Sequence, residues 1–314
     1  MKVLITDAVA QEAVDLLKKR YEVFLKELRG EQLKKEISYY DALMVRSATK
    51  VTKDIIQNAE KLKVIGRAGI GVDNIDVEEA SKKGIYVVNS PTGTTRSVAE
   101  LTIALIFSLA RKINVADAKM KEGMWAKKQL KGMEVMGKIL GLIGSGNIAQ
   151  EVSKIANCIG MKTWVYSPHC TNEKASKMGA ELKSIEEIFE KADFISLHIP
   201  KTKETYHMIN EKLLSLMKPS AFLINVARGG VVDEKALFKF LKEGKIGGAA
   251  IDVFEKEPPE KLPNLENVIY TPHIGASTKE GQVRAGIICA EQISKVLEGK
   301  EPDYWVNKDK MKCA

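Results

Sequence analysis

Short apolar runs recur along the whole chain, separated by segments of helical period. In the first third they are VLIT (3–6), ALMV (42–45), VIG (64–66) and IYVV (85–88). Later come KILGLI (138–143), KTWVY (162–166), FISL (194–197), AFLINV (221–226), AAIDVF (249–254) and NVIY (267–270). Runs this short, rich in β-branched and aliphatic residues, suit strands buried on both faces. Between them, segments such as QEAVDLLKK and EKALFKFLKEG place apolar residues three and four apart, the spacing of amphipathic helices. Regular alternation of the two predicts an α/β fold in which helices cover both faces of parallel sheets.

A change of texture falls at NSPTGTTRSVAELTIALIFSLARK, where a Pro-Gly-Thr loop opens a long helix. Ser97 and Glu100 stand three apart there, a capping-box spacing. After 267–271 another long helix, roughly 278–298, runs toward the end. These features predict a discontinuous first domain, 1–90 plus 275–314, with a dinucleotide-binding domain inserted at 91–274. A length of 314 residues suits two domains.

Composition narrows the function classes. Hydrophobic residues make up 45% and charged residues 29%, ordinary for a globular protein. MKVLITDAVA lacks the form of a signal peptide, and LTIALIFSLA falls short of the roughly 20 apolar residues of a membrane span. A cytoplasmic protein with no membrane association is expected. Cys158, Cys170, Cys289 and Cys313 show no C-x-x-C pair and no metal-ligand spacing with the four histidines, so no metal is expected. The net charge of +8 comes from 49 basic and 41 acidic residues interspersed along helices. No basic stripe with aromatics marks a nucleic-acid surface. A small anionic substrate accounts for the excess.

LGLIGSGNIA (140–149) supplies the chemistry-bearing motif. Gly144, Gly146 and Ala149 follow a predicted strand and open a helix at Asn147 and Ile148. Gly144 permits the tight turn, Gly146 lets backbone approach a pyrophosphate, and Ala149 lets helix and strand pack closely. The carboxylate that normally holds the adenine ribose, about 20 residues on, is missing: WVYSPHC puts Ser167 there. A serine neither binds both ribose hydroxyls nor repels a 2′-phosphate. The cofactor expected is NAD, with NADP left open, and His169 and Lys174 are the nearby groups that could meet a phosphate.

Hydride transfer to a carbonyl also needs a proton donor and a cation to hold the substrate. His207 sits in a helical pattern and His169 near the adenine end. His198 and His273 both end strands, where open parallel sheets bind ligands, and periodicity alone does not choose between them. Arg228 stands where FLINVARGG turns toward a helix. Glu255 and Glu257, in DVFEKEPP, are equivalent on composition.

GSGNIA, NVARGGVVDE, AAIDVFEKEPP and TPHIGAST, in this order, resemble the D-isomer-specific 2-hydroxyacid dehydrogenases. VRSATKVT, IGRAGIGVDNID and NSPTGTTRSVAE are closer to the members that oxidise D-3-phosphoglycerate. The resemblance spans essentially the whole chain. It implies a Rossmann-type doubly wound sheet inserted into a flavodoxin-like substrate-binding domain, and a homodimer built largely from the nucleotide domains. It implies Arg228, Glu257 and His273 as the catalytic residues: Arg228 for the carboxylate and reacting oxygen, His273 for the proton, and Glu257 favouring the imidazolium. His198 becomes a wall of the cofactor pocket, with Ile199, Pro200, Val226, Ala227, Gly275 and Ala276 also lining it. Asp252 matches the position that bonds the nicotinamide amide. Gly69 and Ile70 match the loop that receives the substrate carboxylate, while Arg46, with Ser47, and Arg67 match positions that discriminate for a phosphate. Lys127 falls near a third basic position.

The implied reaction is NAD(P)-dependent oxidation of D-3-phosphoglycerate to 3-phosphohydroxypyruvate, the first step of serine biosynthesis. Reduction of glyoxylate or hydroxypyruvate is the alternative within the family. A third reading, an NAD-sensing corepressor, lacks any added interaction segment. No C-terminal regulatory domain is expected.

Overall fold

The computed structural model describes residues 1–311; Cys313 lies outside them. The described residues form two compact units. One comprises Met1–Thr95 together with the chain from Ala276 onward, the other Arg96–Gly275.

The first unit is built on five parallel strands: β1 (Lys2–Ile5), β2 (Glu22–Leu25), β3 (Ala42–Val45), β4 (Val64–Arg67) and β5 (Tyr86–Val88). Their order, β2-β1-β3-β4-β5, is that of the flavodoxin-like fold. Successive residues alternate between two cores. Leu4, Leu43, Ile65 and Val87 meet Leu33, Ile37, Ile55 and Ile56 on one face. Val3, Met44, Val64 and Val88 meet Ala13, Leu17, Cys289 and Ile293 on the other. Because both faces are buried, the strands read as continuous apolar runs. β2 escaped the sequence pattern because it is an edge strand with both ends exposed.

Helix Lys279–Leu297 crosses β4 so closely that a Cβ on Gly66 would lie 2.6 Å from Ile293 Cδ1. The polar tail then pairs with β5: Trp305 bridges Val88 antiparallel, and the Val306 amide donates to Val87 O.

The second unit holds seven parallel strands: β6 (Ile139–Ile143), β7 (Lys162–Tyr166), β8 (Glu181–Leu182), β9 (Phe194–Leu197), β10 (Phe222–Asn225), β11 (Gly248–Ile251) and β12 (Val268–Tyr270). The order β12-β11-β10-β9-β6-β7-β8 is the doubly wound Rossmann order with one more parallel strand at the edge. The strand order reverses between β6 and β9, so their carboxyl ends form the switch point where such sheets bind ligands.

Three expectations are corrected. Helix Thr95–Arg111 starts before Ser97, which is buried within its first turn and does not cap it. β11 stops at Ile251, so Asp252, Val253 and Phe254 leave the sheet. His207 belongs to a turn, with φ +50°, because its amide is drawn to Gly230 O at 2.8 Å. Among the described residues no helix is long and apolar enough to cross a membrane.

Candidate active site

In the second unit the glycine motif has the geometry its spacing predicts. β6 ends at Ile143, and Gly144 adopts φ +113° while its amide reaches Tyr166 O at 2.7 Å. A Cβ there would lie 2.4 Å from His198 O, so only glycine allows the two strand ends to approach. Gly146 is the N-cap of helix Asn147–Cys158 and no side chain caps the helix. A Cβ on Gly146 would meet nothing within 4 Å. Uncapped first-turn amides facing open space fit an anion such as a pyrophosphate. Ala149 is fully buried, as close packing of helix on strand requires.

Ser167 follows β7, and its carbonyl accepts the Cys170 amide. Thr171 caps the next helix, whose first turn holds Glu173 and Lys174. His198 follows β9. Its Nε2 bonds Ser196 Oγ at 2.9 Å and its Nδ1 is sealed from solvent with no partner. Burial pushes its pKa down to about 3, so the ring is neutral. Ile199 and Pro200 continue this edge, with Ile199 Cγ2 3.1 Å from the Cβ position of Gly144.

β10 leads into Val226, Ala227 and Arg228. Asn225 ties this turn together: its Oδ1 accepts the Ala227 amide and its Nδ2 donates to Arg228 O, each at 3.2 Å. Arg228 Nη1 donates to Ala227 O at 2.7 Å. Gly229 passes against the next strand's exit, where a Cβ would fall 1.7 Å from Phe254 O. The NVARGG sequence therefore brings the β10 and β11 exits into direct backbone contact.

Asp252, 1% exposed, shapes the loop that bears His273. Its Oδ1 accepts from Thr271 Oγ1 (2.6 Å) and the Ile274 amide (2.8 Å), and its Oδ2 from the Gly275 amide (2.9 Å). Its carbonyl accepts the His273 amide at 2.8 Å. This organising role was invisible in the sequence, because it depends on β11 and β12 being neighbours. On the resulting loop His273 takes φ +52°, and its Nδ1 lies 2.7 Å from Glu257 Oε2. Glu257 Oε1 accepts the Phe254 amide at 3.1 Å. Glu255 points elsewhere: its Oε1 meets His207 Nε2 at 2.9 Å and the Glu234 amide at 3.2 Å. His207, Asp233 and Glu255 bring ligand-type atoms within 4.8 Å of one another. Within it His207 bonds Glu255, and Asp233 caps helix Glu234–Lys242 through the Ala236 amide.

The remaining candidates except Lys127 lie in the first unit, as does Ala276, the first residue of its second segment. Val45 pairs with Arg67 in register, so Arg46 and Arg67 stand at the carboxyl ends of adjacent strands. Arg67 packs on Gly69, where φ is +156° and a Cβ would lie 1.8 Å from Arg67 Nη1. The loop is backed by the Ser90 amide on Gly69 O (2.9 Å) and Asn89 Nδ2 on Ile70 O (2.6 Å). Ser47 is exposed beside Arg46. Lys127 lies in a short 3₁₀ turn of the second unit.

Comparison with known proteins places these features in a family. Residues 103–275 match the model of the D-isomer specific 2-hydroxyacid dehydrogenase NAD binding domain. The D-3-phosphoglycerate dehydrogenase of Methanocaldococcus jannaschii is 51% identical over 311 residues, which is 98% of this chain and 59% of that protein. The chain thus spans little more than half the length of that relative. The hydroxypyruvate reductase of Thermotoga maritima is 47% identical over 303 residues, 94% of this chain and 98% of the reductase. A solved structure of D-lactate dehydrogenase from Aquifex aeolicus, complexed with NAD and lactic acid, has a TM-score of 0.82 at 29% identity, covering 95% of this chain and 96% of that one. With its fingerprint, sheet order and strand-end residues in this arrangement, the chain belongs to the D-isomer-specific 2-hydroxyacid dehydrogenases, and residues 103–275 are its NAD-binding domain.

Proposed function

We propose that this protein oxidises D-3-phosphoglycerate to 3-phosphohydroxypyruvate with NAD, as the first step of serine synthesis. The observation that carries the reading is the His273–Glu257 pair at 2.7 Å. Glu257 accepts from Nδ1, which leaves Nε2 to take the substrate's hydroxyl proton and to return it in the reverse direction. The Phe254 amide holds the Glu257 carboxylate in place against the ring. Arg228 grips the carboxylate and the reacting oxygen through two donors of its planar fork. Bound NAD supplies the hydride acceptor. Gly144, Gly146, Asn147 and Ile148 would hold its pyrophosphate and Ser167 its ribose. His198, Ile199, Pro200, Val226, Ala227, Gly275 and Ala276 would line its pocket. Asp252 Oδ2, which accepts the Gly275 amide, retains capacity for the nicotinamide carboxamide. The Gly69–Ile70 loop would receive the carboxylate, and Arg46, Ser47 and Arg67 the phosphate.

The substrate assignment rests on two arginines at adjacent strand ends, charges that an unphosphorylated acid does not need. A second reading, reduction of hydroxypyruvate or glyoxylate, is supported by the near full-length match to the Thermotoga reductase. Free Cys158, Cys170 and Cys289 suit the reducing cytoplasm. A homodimer is supported by large exposed apolar side chains within 107–136, among them Ile113, Met120, Met124, Trp125 and Met136. The test is a spectrophotometric screen of NAD and NADP with D-3-phosphoglycerate, D-glycerate and D-lactate. Preference for D-glycerate over the phosphorylated acid would transfer the assignment to the second reading.

A further inference from the structure

The segment Arg46–Thr49 leaves β3 and carries the first arginine assigned to the phosphate. Backbone groups in such a segment lose their sheet partners and must find others. Here two side chains take both ends. Asp7, which follows β1 and is 8% exposed, accepts the amides of Arg46 and Thr49 on its Oδ2. Asn74 Nδ2 donates to the carbonyls of the same two residues, at 2.7 Å and 2.6 Å. Thr49 is fully buried and its hydroxyl donates to Asp7 Oδ1 at 2.8 Å. Between these fixed ends Ser47 and Ala48 are exposed. A rigid frame thus carries a solvent-facing tip.

The charges are divided in an informative way. Arg29 Nη2 meets Asp7 Oδ1 at 2.7 Å, and Arg29 Nη1 is spent on the carbonyls of Thr6 and Leu28. The Asp7 carboxylate is therefore neutralised by Arg29. Arg46 meets Asp7 only through its backbone amide. Its guanidinium is steadied by one bond, Nη1 to Ala8 O at 3.0 Å, and has no carboxylate partner within salt-bridge distance among the described residues. Four of its five donors, and its whole charge, stay available for an external anion.

We infer that Asp7 and Asn74 are positioning residues that hold the Arg46–Ser47 tip in place for the phosphate of the substrate. The inference rests on the phosphoglycerate reading above. A carboxylate is required at position 7 because one oxygen must accept two converging amides while the other accepts a hydroxyl and a guanidinium. Asparagine has a single acceptor oxygen and would surrender one of these pairs. Phosphate recognition is sensitive to this, since a guanidinium bonds phosphate in a directional fork.

The experiment compares wild type with Asp7→Asn, Asn74→Ala and Arg46→Ala on D-3-phosphoglycerate and D-glycerate, with NAD saturating. Both positioning variants are expected to raise KM for the phosphorylated acid with little change in kcat. The ratio of kcat/KM for the phosphorylated over the unphosphorylated acid should fall about tenfold, as loss of hydrogen bonds to a charged group predicts. Asn74→Ala keeps the Asp7–Arg29 pair and serves if Asp7→Asn does not fold. Parallel losses on both substrates, or an unchanged ratio, in these variants while Arg46→Ala remains selective would overturn the inference alone. A wild type indifferent to the phosphate, or an Arg46→Ala loss equal on both acids, would sink the substrate reading and the inference with it.

Discussion

His273 combines a backbone φ of +52° with a ring bonded on one side, so its reactive nitrogen is set by the loop around it. Replacing it with asparagine keeps a polar group of similar reach but removes the titratable one. His273→Asn should lower kcat by roughly 10²–10⁴, the weight of a general acid–base group, with NAD affinity nearly unchanged. Stopped-flow turnover and NADH fluorescence titration measure the two quantities; a larger loss in His198→Asn than in His273→Asn would reverse their roles. Ser167 raises a separate question at the other end of the cofactor. It offers one hydroxyl and no charge to exclude a 2′-phosphate, with Lys174 in the next helix. NAD should therefore be used without strong rejection of NADP, and Ser167→Asp should raise the NAD preference by ribose bonding and phosphate repulsion. The ratio of kcat/KM for the two cofactors checks this. A wild type that already rejects NADP by several orders of magnitude would require another group to exclude the phosphate.

The elements explain why these residues have little freedom. β9 is buried along its whole length and delivers His198 into a site where Nδ1 is sealed. Desolvation holds its pKa near 3, below the roughly 6.5 of an unfolded chain. Between those values the unfolded state binds the extra proton. Stability from this residue is thus fully present above pH 6.5 and is lost as pH falls. The limiting slope is about 1.4 kcal/mol per pH unit. From pH 7 to pH 5, wild type should lose up to about 2 kcal/mol more than His198→Asn in urea unfolding. Equal losses would mean that the ring gains a proton partner, or water, before the fold opens. β11 acts differently: it ends at Ile251, and the next residue, Asp252, builds the His273 loop across to β12.

The whole molecule places distant pieces of sequence in one core. Residues after Ala276 return to the first unit, where helix Lys279–Leu297 closes one face of the sheet. The return is locked by Asn307, 1% exposed, which joins positions 220 or more residues away. Its Oδ1 accepts the Val87 amide at 2.8 Å, and its Nδ2 donates to Ile85 O and Ser81 Oγ. Asn307→Ala would strand these buried groups and should cost about 1–3 kcal/mol. Urea unfolding followed by Trp305 fluorescence tests it, since Trp305 Nε1 also donates to Asn307 Oδ1. A change below a few tenths of a kcal/mol would show that water satisfies these groups instead.

Local signals were sufficient for the alternation of strands and helices, because buried parallel strands are apolar on both faces and their runs stand out from amphipathic helices. They were sufficient for the glycine turn, whose residues act within one strand–helix unit. Two of the edge strands were illegible: β2 is half exposed, and β8 is two residues long. So was the turn at His207, which a backbone bond to Gly230 pulls out of its helical pattern. The sequence by itself named the reactive residue types and, through its motifs, the family. Periodicity left Glu255 and Glu257 equivalent; the exit of β11 against Gly229 turns one toward His207 and the other toward His273. Asp252 as builder of the histidine loop, and Asp7 with Asn74 as holders of the arginine tip, emerged only from the tertiary structure. Each bonds residues 19 or more positions away, and such contacts exist only once neighbouring strands are in register.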